Sequence, residues 1–96
     1  MYQALPSRLH IKDSPIAGQG IFAKENIPKG MVLGMSHLIV DDVIYRTPLG
    51  GFINHSDNPN CELIDEDDYK KLKTIKKIEM GKELTITYDF QNFYKP

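Results

Sequence analysis

No stretch of this chain sustains a helical hydrophobic period for three turns, and that limits its architecture more than any other feature. Six prolines and seven glycines cut it into short pieces, many of them alternating in polarity or rich in β-branched residues. Leu9-His10-Ile11-Lys12 alternates like a strand, Asp13-Ser14-Pro15 reads as a turn, and Gly20-Ile21-Phe22-Ala23 as a second strand. Residues 26–30 form a turn that leads into Met31-Val32-Leu33. Leu38-Ile39-Val40 and Val43-Ile44-Tyr45 flank Asp41-Asp42 like the arms of a hairpin. Thr47 to Gly51 reads as loop. Cys61–Ile64 and Leu72–Ile75 alternate on either side of a polar turn, Asp65 to Lys71. Leu84–Tyr88 is the clearest strand of all. The expectation is a mostly β domain of many short strands and long turns, with little helix.

The 96 residues read as one domain, 1–96. A chain of this size buries only about 60–65% of its unfolded surface, so its core is small, and oligomerisation is one way to bury more. A net charge of −1 gives no global attraction to nucleic acid or to anionic lipid. No direct nucleic-acid binding and no membrane partner are therefore expected. The single cysteine, Cys61, has no internal disulfide partner, which fits a reducing compartment. The start Met1-Tyr2-Gln3-Ala4-Leu5-Pro6 lacks the basic and apolar regions of a signal peptide. No apolar run approaches the roughly 20 residues of a membrane span. The expectation is a soluble intracellular protein, cytoplasmic or nuclear.

Three separated segments carry residues with chemistry. Gly18-Gln19-Gly20, preceded by Ala17, leaves backbone groups open to close approach because no Cβ intervenes. Gly51-Phe52-Ile53-Asn54-His55-Ser56-Asp57-Asn58-Pro59-Asn60-Cys61 is rich in turn formers, and most such strings are loops. Here Phe52-Ile53 would anchor the loop in the core, leaving the Asn54 amide and the His55 ring and backbone to donate and accept hydrogen bonds. Gly81-Lys82-Glu83-Leu84-Thr85-Ile86-Thr87-Tyr88-Asp89 ends a strand on a tyrosine, a position usually filled for packing. A weak repeat also links Ile27-Pro28-Lys29-Gly30-Met31-Val32-Leu33 to Ile78-Glu79-Met80-Gly81-Lys82-Glu83-Leu84. It reads equally as two similar turns or as a duplication.

In this order and at this spacing, the three segments resemble the signatures of SET domains. The chain is identified as a member of that family over about residues 9–94, similar to its compact viral and bacterial forms. The resemblance implies a β-clip-like fold of small curled sheets with a C-terminal pseudoknot. It implies S-adenosylmethionine as cofactor and the lysine of a protein or peptide as methyl acceptor. Residues matching Ala17, Gly18, Gln19, Gly20, Asn54 and His55 hold the cofactor in that family. The residue matching Tyr88 sits where cofactor and lysine meet, as the catalytic tyrosine. Glu83 matches a structural glutamate, and Asp89 is expected to fix the local turn. Phe93, with Phe90 and Tyr94, reads as core or edge packing or as an aromatic that closes over the adenine, and Phe93 is the candidate for that contact.

No Cys-x-Cys cluster follows Tyr88, so no metal and no pre-SET or post-SET zinc module is expected. The insert that helps bind substrate in larger members is cut to about residues 35–50. Some compact members pair, so a homodimer is among the expected states. The competing functions are a catalytically silent SET-like interaction module and a subunit whose site a partner completes. His10 and His37 lack partners at metal-ligand spacing and read as structural. Residues 65–68, followed by Lys70, Lys71 and Lys73, read most simply as a solvated hairpin tip, with contact to a basic substrate as the alternative.

Overall fold

A computed structural model describes residues 5–87. Its strands are β1 (Leu9–Asp13), β2 (Gln19–Ala23), β3 (Val32–Val40), β4 (Val43–Arg46), β5 (Asn54–His55), β6 (Cys61–Glu66), β7 (Tyr69–Thr74) and β8 (Glu83–Ile86). One short helix, α1 (Pro48–Phe52), lies between β4 and β5. The strands form two four-stranded sheets, in the orders β1-β2-β8-β5 and β4-β3-β7-β6. This is the mostly β architecture that the punctuation of the chain predicts, arranged in the small sheets that the resemblance implies. Among the described residues, no helix is long and apolar enough to cross a membrane.

Three local expectations change. β3 runs on through Gly34 to Val40 rather than stopping at Leu33, and two bulges interrupt its pairing with β7. The turn between β6 and β7 is tighter than the charged run implied, because Asp65 pairs with Lys70 and Glu66 with Tyr69 in the ladder. Residues 47–51, expected as loop, contain the start of α1. Thr47 caps that helix, with Pro48 at its first position. The Thr47 hydroxyl donates to the Met35 carbonyl at 2.7 Å, which ties the helix to β3. The expected Asp41-Asp42 hairpin is present, with both residues at positive φ (50° and 65°). Aspartate tolerates that region better than most residues, and the twist of such a turn suits a two-residue loop.

The repeat seen in the sequence is a structural one. Ile27 and Ile78 exchange both backbone hydrogen bonds at 2.8 Å. The backbone bonds that join the two arms beside that bridge come in matched pairs. Gly30 N–H donates to the Thr74 carbonyl at 2.9 Å, and Gly81 N–H to the Ala23 carbonyl at 2.8 Å. Thr74 N–H reaches the Met31 carbonyl at 2.9 Å, and Ala23 N–H the Lys82 carbonyl at 3.0 Å. Val32 pairs with Lys73 as Glu83 pairs with Phe22. Both glycines are left-handed, at φ +84° and +89°, and nothing lies within 4 Å of a Cβ built on either. Their requirement is therefore conformational. The units β1-β2-turn and β6-β7-turn each feed a strand, β3 or β8, that crosses over and pairs with the other unit.

The buried core lies between the units: Ile21, Ile27, Leu72, Ile78, Leu84 and Ile86 are all at most 2% exposed. Leu49 of α1 joins them at 1%. Gly50 lets the helix seat against β3, since a Cβ there would lie 2.1 Å from the Ser36 carbonyl oxygen and 2.9 Å from the His37 ring. Seating α1 fixes where the chain enters β5, and so where Asn54 points.

Candidate functional site

Strand β8 lies between β2 and β5 and brings the three distant motifs together. It runs antiparallel to β2 (Ile21↔Leu84) and parallel to β5 (Asn54↔Thr85, His55↔Ile86). Ser56 N–H extends the parallel pairing by donating to the Ile86 carbonyl at 2.9 Å, and the Thr87 hydroxyl donates to the Ser56 carbonyl at 2.9 Å. Gly18-Gln19-Gly20 and Asn54-His55 thus sit on opposite sides of the strand that leads to Tyr88.

Asn54 is the junction. Its Nδ2 lies 3.1 Å from the Ala17 carbonyl, 3.2 Å from the Gln19 carbonyl and 2.8 Å from Glu83 Oε2. With the nitrogen committed to the Gly18 loop, Asn54 Oδ1 carries no bond among the described residues. Gly20 is required by crowding. A Cβ on it would lie 2.2 Å from Glu83 Oε2 and 3.0 Å from Asn54 Nδ2. Gly18 differs: it is left-handed at φ +46°, with nothing within 4 Å of an added Cβ. Its outer side is open. Ala17, Gly18 and Gln19 are all exposed.

Glu83 reaches further than the resemblance suggested. Its carboxylate accepts from the Ser14 hydroxyl at 2.7 and 2.9 Å. Its backbone is held by Asn60, whose Nδ2 donates to the Glu83 carbonyl at 2.9 Å while Oδ1 accepts from Thr85 N–H at 2.9 Å. Sequence reading placed Ser14 and Asn60 among generic turn formers. Asn60 closes the motif that carries the resemblance, but no local signal gives the contacts of either residue, because their partners are 69 and 23 to 25 residues away. His55 turns its ring outward, with Nε2 2.9 Å from Asp57 Oδ1. Its backbone, rather than its ring, lies alongside β8. Tyr88 and Phe93 lie outside the described residues, as do Asp89, Phe90 and Tyr94.

A cavity of about 270 Å³ opens between the end of β8 and the edge of β6, lined by Pro59, Cys61, Leu63, Ile75, Ile86 and Thr87, with Glu62 also on its wall. Burial pushes the Cys61 thiol up to about 12, so at neutral pH it is a small apolar wall and not a nucleophile. His37 is buried, with Nδ1 2.9 Å from Ser36 Oγ. Desolvation, then the charges of Arg46 and Lys70, lower its pKa to about 4, so it is neutral at pH 7. His10 packs edge-on against Phe22. Among the described residues, no group of three or more His, Cys, Asp or Glu could hold a metal ion.

A mostly β fold of two small sheets, with a glycine loop and an Asn-His strand joined across one central strand, defines a SET-type domain. The SET domain family model matches residues 35–89, and the chain belongs to that family. The matched span holds Asn54, His55 and Tyr88, while the glycine loop lies outside it and is joined to them by the Asn54 contacts. Among solved structures, a Plasmodium falciparum protein named as a histone methyltransferase superimposes with a TM-score of 0.74 at 18% identity, covering 85% of this chain and 93% of that one. A chain of apo ctPRC2 with substitutions in Ezh2 gives a TM-score of 0.74 at 21% identity, covering 94% of this chain and 16% of that one. At these identities the likeness is one of fold. Comparison with curated proteins finds no match.

Proposed function

We propose that residues 1–96 form a single catalytic domain that transfers a methyl group from S-adenosylmethionine to a lysine side chain of a protein. The observation that carries this reading is the convergence of Ala17–Gly20, Asn54 and Glu83 at one point beside the strand leading to Tyr88. The residues present fit the cofactor. Exposed residues on both sides of Gly18, and an Asn54 oxygen that carries no bond among the described residues, suit the ammonium and carboxylate of an amino-acid moiety. Ala17, Gly18, Gln19, Gly20, Asn54 and the His55 backbone are assigned to cofactor binding, and Phe93 to its adenine.

When bound, S-adenosylmethionine supplies an electrophilic methyl on a sulfonium. The acceptor must be a neutral amine, although a free lysine has a pKa near about 10.4. The cavity beside Thr87 supports that demand. Pro59, Leu63, Ile75 and Ile86 on its wall would take the methylene stem, and partial removal from water would disfavour the charged ammonium, so the proton would leave to water before transfer. Transfer to the neutral amine would leave a neutral thioether and a methylated ammonium, which sheds a proton to water while it still carries one. No acid–base residue is needed in that step. The work of this chain is to align donor and acceptor, a role assigned to Tyr88 and to the fixed loop.

Calorimetric titration with S-adenosylmethionine tests the reading. Saturable micromolar binding that Asn54→Ala abolishes is the expected result. Absence of binding at millimolar cofactor by folded protein would reject it. One observation favours a second reading, a protein-interaction module: Leu38, Val40, Val43 and Tyr45 lie on one face of the β3–β4 hairpin and are all more than a third exposed. A protein partner, whether substrate or second copy, is implied by either reading.

A further inference from the structure

The loop that the site depends on has almost no apolar anchor. Pro15, Ile16, Ala17 and Gly18 are all exposed, and Ile16 is 50% exposed. What holds the loop is polar. Ser14 N–H donates to the Gly18 carbonyl at 2.8 Å, closing the loop on itself. Ser14 Oγ accepts from Ile16 N–H at 3.0 Å and donates to the Glu83 carboxylate. Asn54 Nδ2 ties the far side to the same carboxylate. Glu83 in turn is held in place, because Asn60 grips its carbonyl and the Thr85 N–H of β8 and Gly20 is packed against its head.

We propose that Ser14 is a positioning residue for the cofactor site: its hydroxyl locks the Pro15–Gly18 loop onto the Glu83 carboxylate in the geometry that meets the ligand. The inference rests on the cofactor reading above. The chemistry requires a hydroxyl at this point. An ionised carboxylate only accepts, so it needs a donor facing it. The same side-chain oxygen must also accept from Ile16 N–H, and a hydroxyl does both. Hydrogen bonds to a charged group are stronger than neutral ones, which suits a loop with so little apolar contact. Ser14 touches neither cofactor nor acceptor in this scheme, and acts through the loop.

The test compares wild type with Ser14→Ala, Ser14→Thr and Ser14→Val. Threonine and valine have the same shape and differ in the hydroxyl. Two readouts are taken: affinity for S-adenosylmethionine by calorimetry, and amide hydrogen exchange at Ala17 and Gly18 in the cofactor-free protein. Expected are affinities at least about tenfold weaker for the Ala and Val variants, near wild type for Thr. Exchange at Ala17 and Gly18 should accelerate about tenfold in Ala and Val and not in Thr. Thermal midpoints should remain close across the set, since the loop buries little. Equal exchange and affinity in the Thr and Val variants would overturn the proposal. If wild type itself binds no cofactor, the site reading fails, while the exchange pattern still decides whether Ser14 holds the loop.

Discussion

A methyl group added at Gly20 would sit 2.2 Å from Glu83 Oε2, and that distance sets the sharpest residue-scale prediction. Glu83 has no room to retreat while Ser14 and Asn54 hold its oxygens. Gly20→Ala should lose stability by about 1–3 kcal/mol in urea titration and weaken S-adenosylmethionine binding about tenfold or more. Retained affinity in this variant would mean that the Glu83–Asn54 contact does not shape the site. Tyr88→Phe has the opposite profile under the proposed mechanism: cofactor affinity stays within about twofold while turnover falls at least about tenfold. A Tyr88→Phe enzyme with full turnover would remove the hydroxyl from the alignment of donor and acceptor. His37 sets an acid limit. Its pKa falls from 6.5 to about 4 on folding, so the folded state favours the neutral ring. The stability this confers is complete above pH 6.5 and is lost as pH falls from 6.5 towards 4, amounting to roughly 3 kcal/mol at most. Urea midpoints measured across that window should fall in wild type and flatten in His37→Gln. An unchanged slope in the variant would assign the acid sensitivity elsewhere.

The elements divide into those that sequence shows and those that only tertiary contact explains. β8 announces itself through alternation and β-branched content, β2 and the second half of β7 also read as strands, and the glycine loop, Asn54-His55 and Glu83 are legible as motifs. α1 is not, because five residues reading Pro-Leu-Gly-Gly-Phe carry no helical period. It exists because Thr47 caps it and Gly50 admits it against Ser36. The continuation of β3 through two bulges is equally silent, since a bulge shifts alternation and looks like a break. Ser14 and Asn60 read as turn formers because turns are what such residues most often make, and their long-range partners leave no local trace. The Ile-x-x-Gly-x-x-Leu repeat was legible but ambiguous, and the matched hydrogen bonds around Ile27 and Ile78 resolve it in favour of paired units. That equivalence is testable. Gly30→Ala and Gly81→Ala meet no steric contact, so each should lose about 1 kcal/mol, the cost of a left-handed alanine, and the two losses should agree. Losses differing severalfold in denaturant titration would show that the two turns are alike in form only.

At the scale of the whole molecule, the crossing of β3 and β8 between units means that neither unit can leave without breaking ladder bonds of the other. β3 contributes pairing to β7, and β8 to β2. Unfolding should therefore be one cooperative event for the described core. Cys61 is placed to report on it. The thiol is 1% exposed, at the start of β6 and within the core cluster that both units share. With its pKa pushed up to about 12 by burial, it is unreactive while that cluster stays closed. Labelling by a thiol reagent then requires an opening, and the size of the opening can be read from denaturant. If the units separate only together, the free energy of the opening that admits reagent should fall with urea at the same slope as global unfolding. A slope near zero would show that β6 frays locally and that the interlocked strands do not couple the two halves.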